Sequence, residues 1–271
     1  MLVSAAVCPH PPILVPAMAG EAAPELDALR AACDEAVRPL LGGDALIVVG
    51  GAPETRRYGP DAYATLQPYG LAWTSPDDPK DGTEALPLSL SMGRWLLDRQ
   101  SAGGEVRYRG DVRYQAVAFD ASPAECLALG RDLAESSGRV ALLVMGDGSA
   151  CRSEKAPGYL DERAGPYDEA VARALGDADA DVLAALDPEL SREVQAAGRA
   201  AWQVLAGAHG LGPGSAPADA DRAGADRADA ARMDAARADE GGAGRFTGRL
   251  LADEAPYGVG YFVAGWSHAR R

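Results

Sequence analysis

Few side chains in this chain have both the chemistry and the setting to act on a ligand. His10 stands in Cys8-Pro9-His10-Pro11-Pro12, at the end of the apolar run Leu2 to Val7. Proline lacks an N–H and cannot continue a central strand, so the chain must leave a sheet at this point. His10 is thus placed at a strand's carboxyl end, as a metal ligand or a proton carrier. Asp147 and Ser149 stand in Gly146-Asp147-Gly148-Ser149-Ala150, directly after the apolar run Val140 to Met145. An aspartate there either points at a ligand or accepts backbone N–H bonds within its turn. Ser149 has no catalytic partner visible in the sequence. The turn does not match the nucleophile elbow G-x-S-x-G or a nucleotide-binding glycine loop. Glu254, before Pro256, is either a solvated charge or a carboxylate ligand. Cys8, two residues from His10, shares its side of an extended segment and either faces the same pocket or fills core. Cys151 follows the Gly-Asp-Gly turn. Arg56, Arg57, Arg152 and Lys155 follow strand ends and suggest a positive rim.

These residues need elements that carry them to one place. Leu2–Val7, Ala45–Val49, Tyr114–Phe119 and Val140–Met145 read as buried strands. Helices are expected over Glu21–Leu41, Leu86–Leu97, Ser122–Ser136, Tyr167–Leu175 and, broken near Pro188, Ala178–Ala206. Ser122 with Glu125 three residues on is a capping-box pattern. Phe246–Leu251 and Tyr257–Gly265 return to strand character, and Gly258 and Gly260 suggest close backbone approach. The alternation predicts an α/β protein, a three-layer αβα sandwich with a mostly parallel, mixed central sheet. In such sheets ligands bind at the carboxyl ends of the strands.

The chain has 271 residues, 47% of them hydrophobic, enough for one substantial core. It reads as a single domain over 1–271. Within it, 210–244 is an Ala, Asp, Arg and Gly insert that offers no core face and is expected to be flexible. A net charge of −14 argues against nucleic acid or an anionic membrane as partner. No apolar run reaches the roughly 20 residues of a membrane helix. Four cysteines without metal-ligand spacing and no export signal suggest reduced thiols and a cytoplasmic protein. Of three histidines, His209 and His268 are expected at the surface.

Taken together, Pro9-His10-Pro11-Pro12, Ile47-Val48-Val49-Gly50-Gly51-Ala52-Pro53, Met145-Gly146-Asp147-Gly148-Ser149-Ala150 with Ala156-Pro157-Gly158-Tyr159, and Ala255-Pro256-Tyr257-Gly258-Val259-Gly260-Tyr261 resemble the LigB-type class III extradiol dioxygenases and the related Memo-like proteins. The resemblance covers most of the chain outside the insert. It implies a non-haem Fe(II) held by two histidines and a glutamate, which opens the ring of a catechol-type diol with O₂, and a further histidine as acid/base. His10 matches the first histidine ligand, and Glu254 is the best match to the glutamate. The second histidine falls on Gly51 or Ala52, and the acid/base histidine on Ala150. Neither replacement can ligate a metal or move a proton, so standard ring cleavage is not the expectation. Three readings follow: a LigB-like enzyme of altered chemistry using His10, Asp147 and Glu254; a non-catalytic descendant that binds a small molecule or a protein, with possible homo-oligomerisation by family analogy; and a cysteine-dependent enzyme through Cys8 or Cys151.

Overall fold

A computed structural model describes residues 1–102, 111–210 and 246–268. Its main sheet has seven strands: β1 (Leu2–Cys8), β2 (Ala45–Ala52), β3 (Arg56–Arg57), β6 (Asp111–Ala118), β7 (Val140–Met145), β8 (Phe246–Glu254) and β9 (Tyr261–His268). Their order across the sheet is β3-β6-β2-β7-β1-β9-β8. The four central strands β6, β2, β7 and β1 run parallel, whereas β3, β9 and β8 are antiparallel to their neighbours. β4 (Ala64–Thr65) and β5 (Thr74–Ser75) form a separate two-stranded ribbon. The three-layer mixed sandwich is the architecture expected from the alternating pattern.

The two faces are set by the strand period of two. Leu46, Val48, Leu143 and Met145 point to one core, and Ile47, Val49, Leu142 and Val144 to the other. Helices α2 (Asp27–Val37) and α3 (Leu88–Ala102) cover the first core. Helices α4 (Pro123–Glu135), α5 (Ala164–Asp177), α6 (Ala180–Ala184) and α8 (Arg199–His209) cover the second. The remaining helices, α1 (Pro16–Ala19) and α7 (Pro188–Glu193), are single-turn pieces in connections. Burial on both faces explains why the strands read as continuous apolar runs rather than alternating ones.

Prolines and caps set the helix limits. The single helix expected over Glu21–Leu41 is α2 flanked by 3₁₀ turns at Gly20–Leu26 and Arg38–Gly42. Pro24 and Pro39 lack the N–H that a continuous helix would use there. α4 begins with the full capping box: Ser122 accepts from the Glu125 N–H, and the Glu125 carboxylate accepts from the Ser122 N–H at 2.8 Å. β3 was not legible, because two adjacent arginines carry no strand pattern. Of the proposed insert 210–244, everything from 211 on lies outside the described residues. Among the described residues no helix is long and apolar enough to cross a membrane.

Two expectations about histidines fail. The His209 ring lies 5.2 Å from the Phe246 ring and 5.6 Å from that of Trp266, and His268 sits 4.2 Å from Phe246. Both histidines are half-buried in an aromatic cluster rather than standing on the surface. The cause is that α8 and β9 end side by side, at the edge of the sheet opposite to His10. Position near a segment end in sequence gave no hint of this neighbour.

Candidate functional site at the carboxyl edge of the sheet

The connection leaving β2 passes to α3 on one face, and that leaving β7 passes to α5 on the other. Adjacent strands whose connections diverge in this way open a crevice at their carboxyl ends. Here the crevice floor is glycine, and neighbouring elements press into it. A Cβ at Gly50 would lie 2.6 Å from Ser89 Cβ. At Gly51 it would strike the Phe119 ring, and at Gly146 it would lie 2.6 Å from Gly198 Cα and 3.0 Å from Trp202 Nε1. The segment between α7 and α8 is fastened to the β7 turn by Ala150 N–H donating to Val194 O at 3.0 Å and Gly198 N–H donating to Asp147 O at 2.8 Å.

The turn after β7 sends its two polar side chains to different partners. Asp147 Oδ1 accepts the backbone N–H of His10 at 2.8 Å and lies 3.7 Å from His10 Nδ1. His10 is buried, and its Nδ1 is sealed from solvent without a hydrogen-bond partner. Burial pushes the Asp147 carboxyl up from its usual value, against the pull of the His10 ring and N–H. Because the folded protein then holds this proton more tightly than the unfolded chain, the stabilisation is complete below about pH 4 and is lost as pH rises through the folded value. Asp147→Asn keeps the acceptor oxygen and removes the titration. Its urea midpoint is therefore expected to gain on the wild type between pH 4 and 7, and a constant offset would contradict the assignment.

Ser149 turns the other way. Its N–H and Oγ donate to the two oxygens of Asp168, at 2.8 and 2.7 Å, and Arg152 donates to Asp168 Oδ2 at 3.0 Å. Asp168 is fully buried on α5, and burial raises its pKa against those three favourable bonds. Two glycines let the backbone close on this carboxylate and on the Phe262 ring. A Cβ on Gly148 would lie 2.9 Å from Asp168 Oδ1, and one on Gly260 would lie 2.5 Å from Oδ2. The backbone closes the same knot, with Gly148 N–H donating to Gly260 O and Gly260 N–H to Ser149 O. The close approach expected at Gly260 is present. Asp168 itself escaped the sequence reading, although an acid inside the buried stripe Tyr167, Val171, Ala172, Leu175 is a legible signal.

Other candidates are dispersed. Glu254 pairs with Tyr261 across β8 and β9, a full strand beyond β1. At about 4.8 Å per strand this sets its backbone roughly 10 Å from the line of β1, where His10 follows. Among the described residues, no group of three or more His, Cys, Asp and Glu side chains is arranged to hold a metal ion. His10 and Asp147 supply two donors, whereas an Fe(II) centre of the expected kind needs three protein ligands. Among the described residues, this donor set falls short of such a centre.

Cys8 fills the core beside Cys33, and its thiol is pushed well up by that contact and by burial. Cys151 is raised by burial and by Asp161 and Asp168, and its Sγ approaches Gly158 O at 3.5 Å. Thiols held protonated in this way are poor nucleophiles. Two of the four cations of the expected rim are paired: Arg56 with Glu84, while stacking on Tyr58, and Arg152 with Asp168.

What the edge does contain is a cavity of about 540 Å³. It lies between Phe119, just past β6, and the stretch Pro188–Arg199, which is α7, its link to α8 and the first residue of α8. Phe119 is half-exposed and forms one wall; Pro188, Ala196 and Ala197 are among the others. Neither Phe119 nor Arg199 was singled out from sequence.

No family model matches this chain, and no curated protein does. Among solved structures, an uncharacterized protein from Escherichia coli K12 aligns over 97% of this chain and 99% of its own length, at 12% identity and a TM-score of 0.47.

Proposed function

We propose that this is a LigB-like protein that binds a small molecule at the carboxyl edge of its sheet, and that ring cleavage by Fe(II) is not its activity. The observation that carries the reading is the cavity walled by Phe119 and Ala197, the two residues that close over Gly51. The resemblance puts a second metal-binding histidine at Gly51 or Ala52; Gly51 lies under the Phe119 ring, and the space beyond is an apolar-walled cleft of ligand size. The His10–Asp147 contact is retained behind it as a link between the β1 and β7 loops. One observation favours a second reading, an enzyme of altered metal chemistry: His10 Nδ1 is buried with no partner.

Elemental analysis of protein purified without a metal-binding tag, together with O₂ uptake on catechol-type diols, separates the two. The expected result is metal well below one equivalent per chain and uptake at background. Stoichiometric iron that disappears in His10→Ala, with turnover of a diol, would overturn the binding reading in favour of the second.

A further inference from the structure

Arg199 is the unusual group of this cavity. It begins α8, is 3% exposed and forms part of the cavity wall. Its Nη1 donates to Ala121 O at 2.5 Å and to Gln203 Oε1 at 2.9 Å, and its Nη2 donates to Phe119 O at 2.6 Å. All three acceptors are neutral. Among the described residues no carboxylate pairs with this guanidinium, and two of its five N–H donors have no protein partner. A buried cation without a counter-charge is expensive, and an anion bound at its unused donors would offset that cost.

The surroundings narrow what that anion is. Asp120 and Glu189 also line the cavity, both solvent-exposed, and Glu189 lies 3.8 Å from Arg192 at the rim. Only one buried positive charge is on offer, inside a rim whose two acids outnumber its one cation, Arg192, and in a chain of net charge −14. This balance disfavours polyanions such as nucleoside di- or triphosphates. A guanidinium held flat with unused N–H donors matches the planar two-oxygen face of a carboxylate. Phe119 and the Pro188, Ala196 and Ala197 surfaces suit a flat apolar body. Gln195, also on the wall, holds a left-handed backbone at φ +56°, a conformation that such a residue keeps only where its surroundings impose it.

We infer that the cavity takes a monocarboxylate with a flat apolar body, its carboxylate on Arg199 and its body against Phe119. This rests on the ligand-binding reading above and adds the class of ligand. The protein fixes one end of the molecule by charge and accepts the other by shape.

The test uses 2-naphthoate as probe, with 2-naphthamide as its neutral isostere and 2-naphthyl phosphate as the dianion. Titration of the full-length chain is followed by calorimetry and by the amide resonances of Ala196 and Ala197. Naphthoate is expected to bind at least about tenfold more tightly than the amide, and more tightly than the phosphate. Arg199→Lys keeps charge without the fork and is expected to remove most of the preference for naphthoate over the phosphate. Arg199→Met is expected to abolish the preference over the amide. Because Arg199 also ties α8 to the β6–α4 loop, Phe119→Ala serves as a variant at a half-exposed position, and is expected to weaken naphthoate and naphthamide by a similar factor. Equal binding of naphthoate and naphthamide, both weakened by Phe119→Ala, would overturn the carboxylate assignment and leave the ligand-binding reading standing. Failure of all three probes to shift Ala196 and Ala197 at millimolar concentration would overturn both.

Discussion

Gly130→Leu is expected to destabilise the protein by at least about 3 kcal/mol. α4 and α8 approach until their backbones touch, through Gly130 on one and Gly207 on the other. A Cβ on Gly130 would strike Val204 O and come within 2.6 Å of Ala208 N; one on Gly207 would strike Leu127 O and lie 2.7 Å from Leu127 Cα. These are main-chain atoms of helices and cannot rotate aside, so the helices must separate. The layer behind β2 and β7, with Trp202 and Leu205 at its centre, would loosen with them. The intrinsic gain of replacing a helical glycine, about 1 kcal/mol, is too small to compensate. Gly165→Ala provides the contrast. It lies in the first turn of α5 with nothing within 4 Å of the added Cβ, and is expected to stabilise by about 0.5–1 kcal/mol. Urea midpoints of the two variants should move in opposite directions. A Gly130→Leu midpoint within error of wild type would refute the close packing.

Asp168→Ala is expected to cost about 3 kcal/mol. The carboxylate is the common acceptor for Ser149 N–H, Ser149 Oγ and the Arg152 guanidinium. Removing it leaves two buried neutral donors unpaired and a partly exposed cation without its counter-charge. The turn that follows β7 would also lose the group that holds Gly148 against Gly260. Asp168→Asn retains one acceptor oxygen and should cost less than half as much, while removing the pH dependence of this carboxyl. Its sign matches that of Asp147: stabilisation present below about pH 4 and lost as pH rises through the raised folded value. Accelerated hydrogen exchange confined to the Ser149 amide and its neighbours would locate the damage. Unchanged exchange there in Asp168→Ala would mean that the network does not hold the turn.

The fold was legible because its signals are local. Continuous apolar runs of strand length mark buried parallel strands, and Ser122 with Glu125 marks the start of α4. Pro9, Pro11 and Pro12 mark the exit of β1. Each depends on residues within a few positions of one another. The site was legible only in part. His10 and Asp147 were each placed at a strand's carboxyl end; the structure makes those strands neighbours, and the two residues meet. Which partner each loop residue takes is decided by elements far apart in sequence. Ser149 finds Asp168 nineteen residues on, and Arg199 finds the carbonyls of Phe119 and Ala121 from about eighty residues away. Gly51 in sequence is only a residue without a side chain at a strand end; the Phe119 ring that lies above it comes from the end of another strand.

The seven-stranded sheet ends in two unlike margins, and both resist addition of a foreign strand. On one side β3 is two arginines long, too short to template a partner. On the other, β8 carries Arg249, Asp253 and Glu254 and breaks register between Leu250 and Ala252. A neighbouring copy would have to match a ladder that shifts midway and would set charged side chains along the new seam. Among the described residues, growth of the sheet from molecule to molecule is therefore disfavoured at β3 and β8. If copies of this chain associate, they would do so through helical faces rather than by lengthening the sheet.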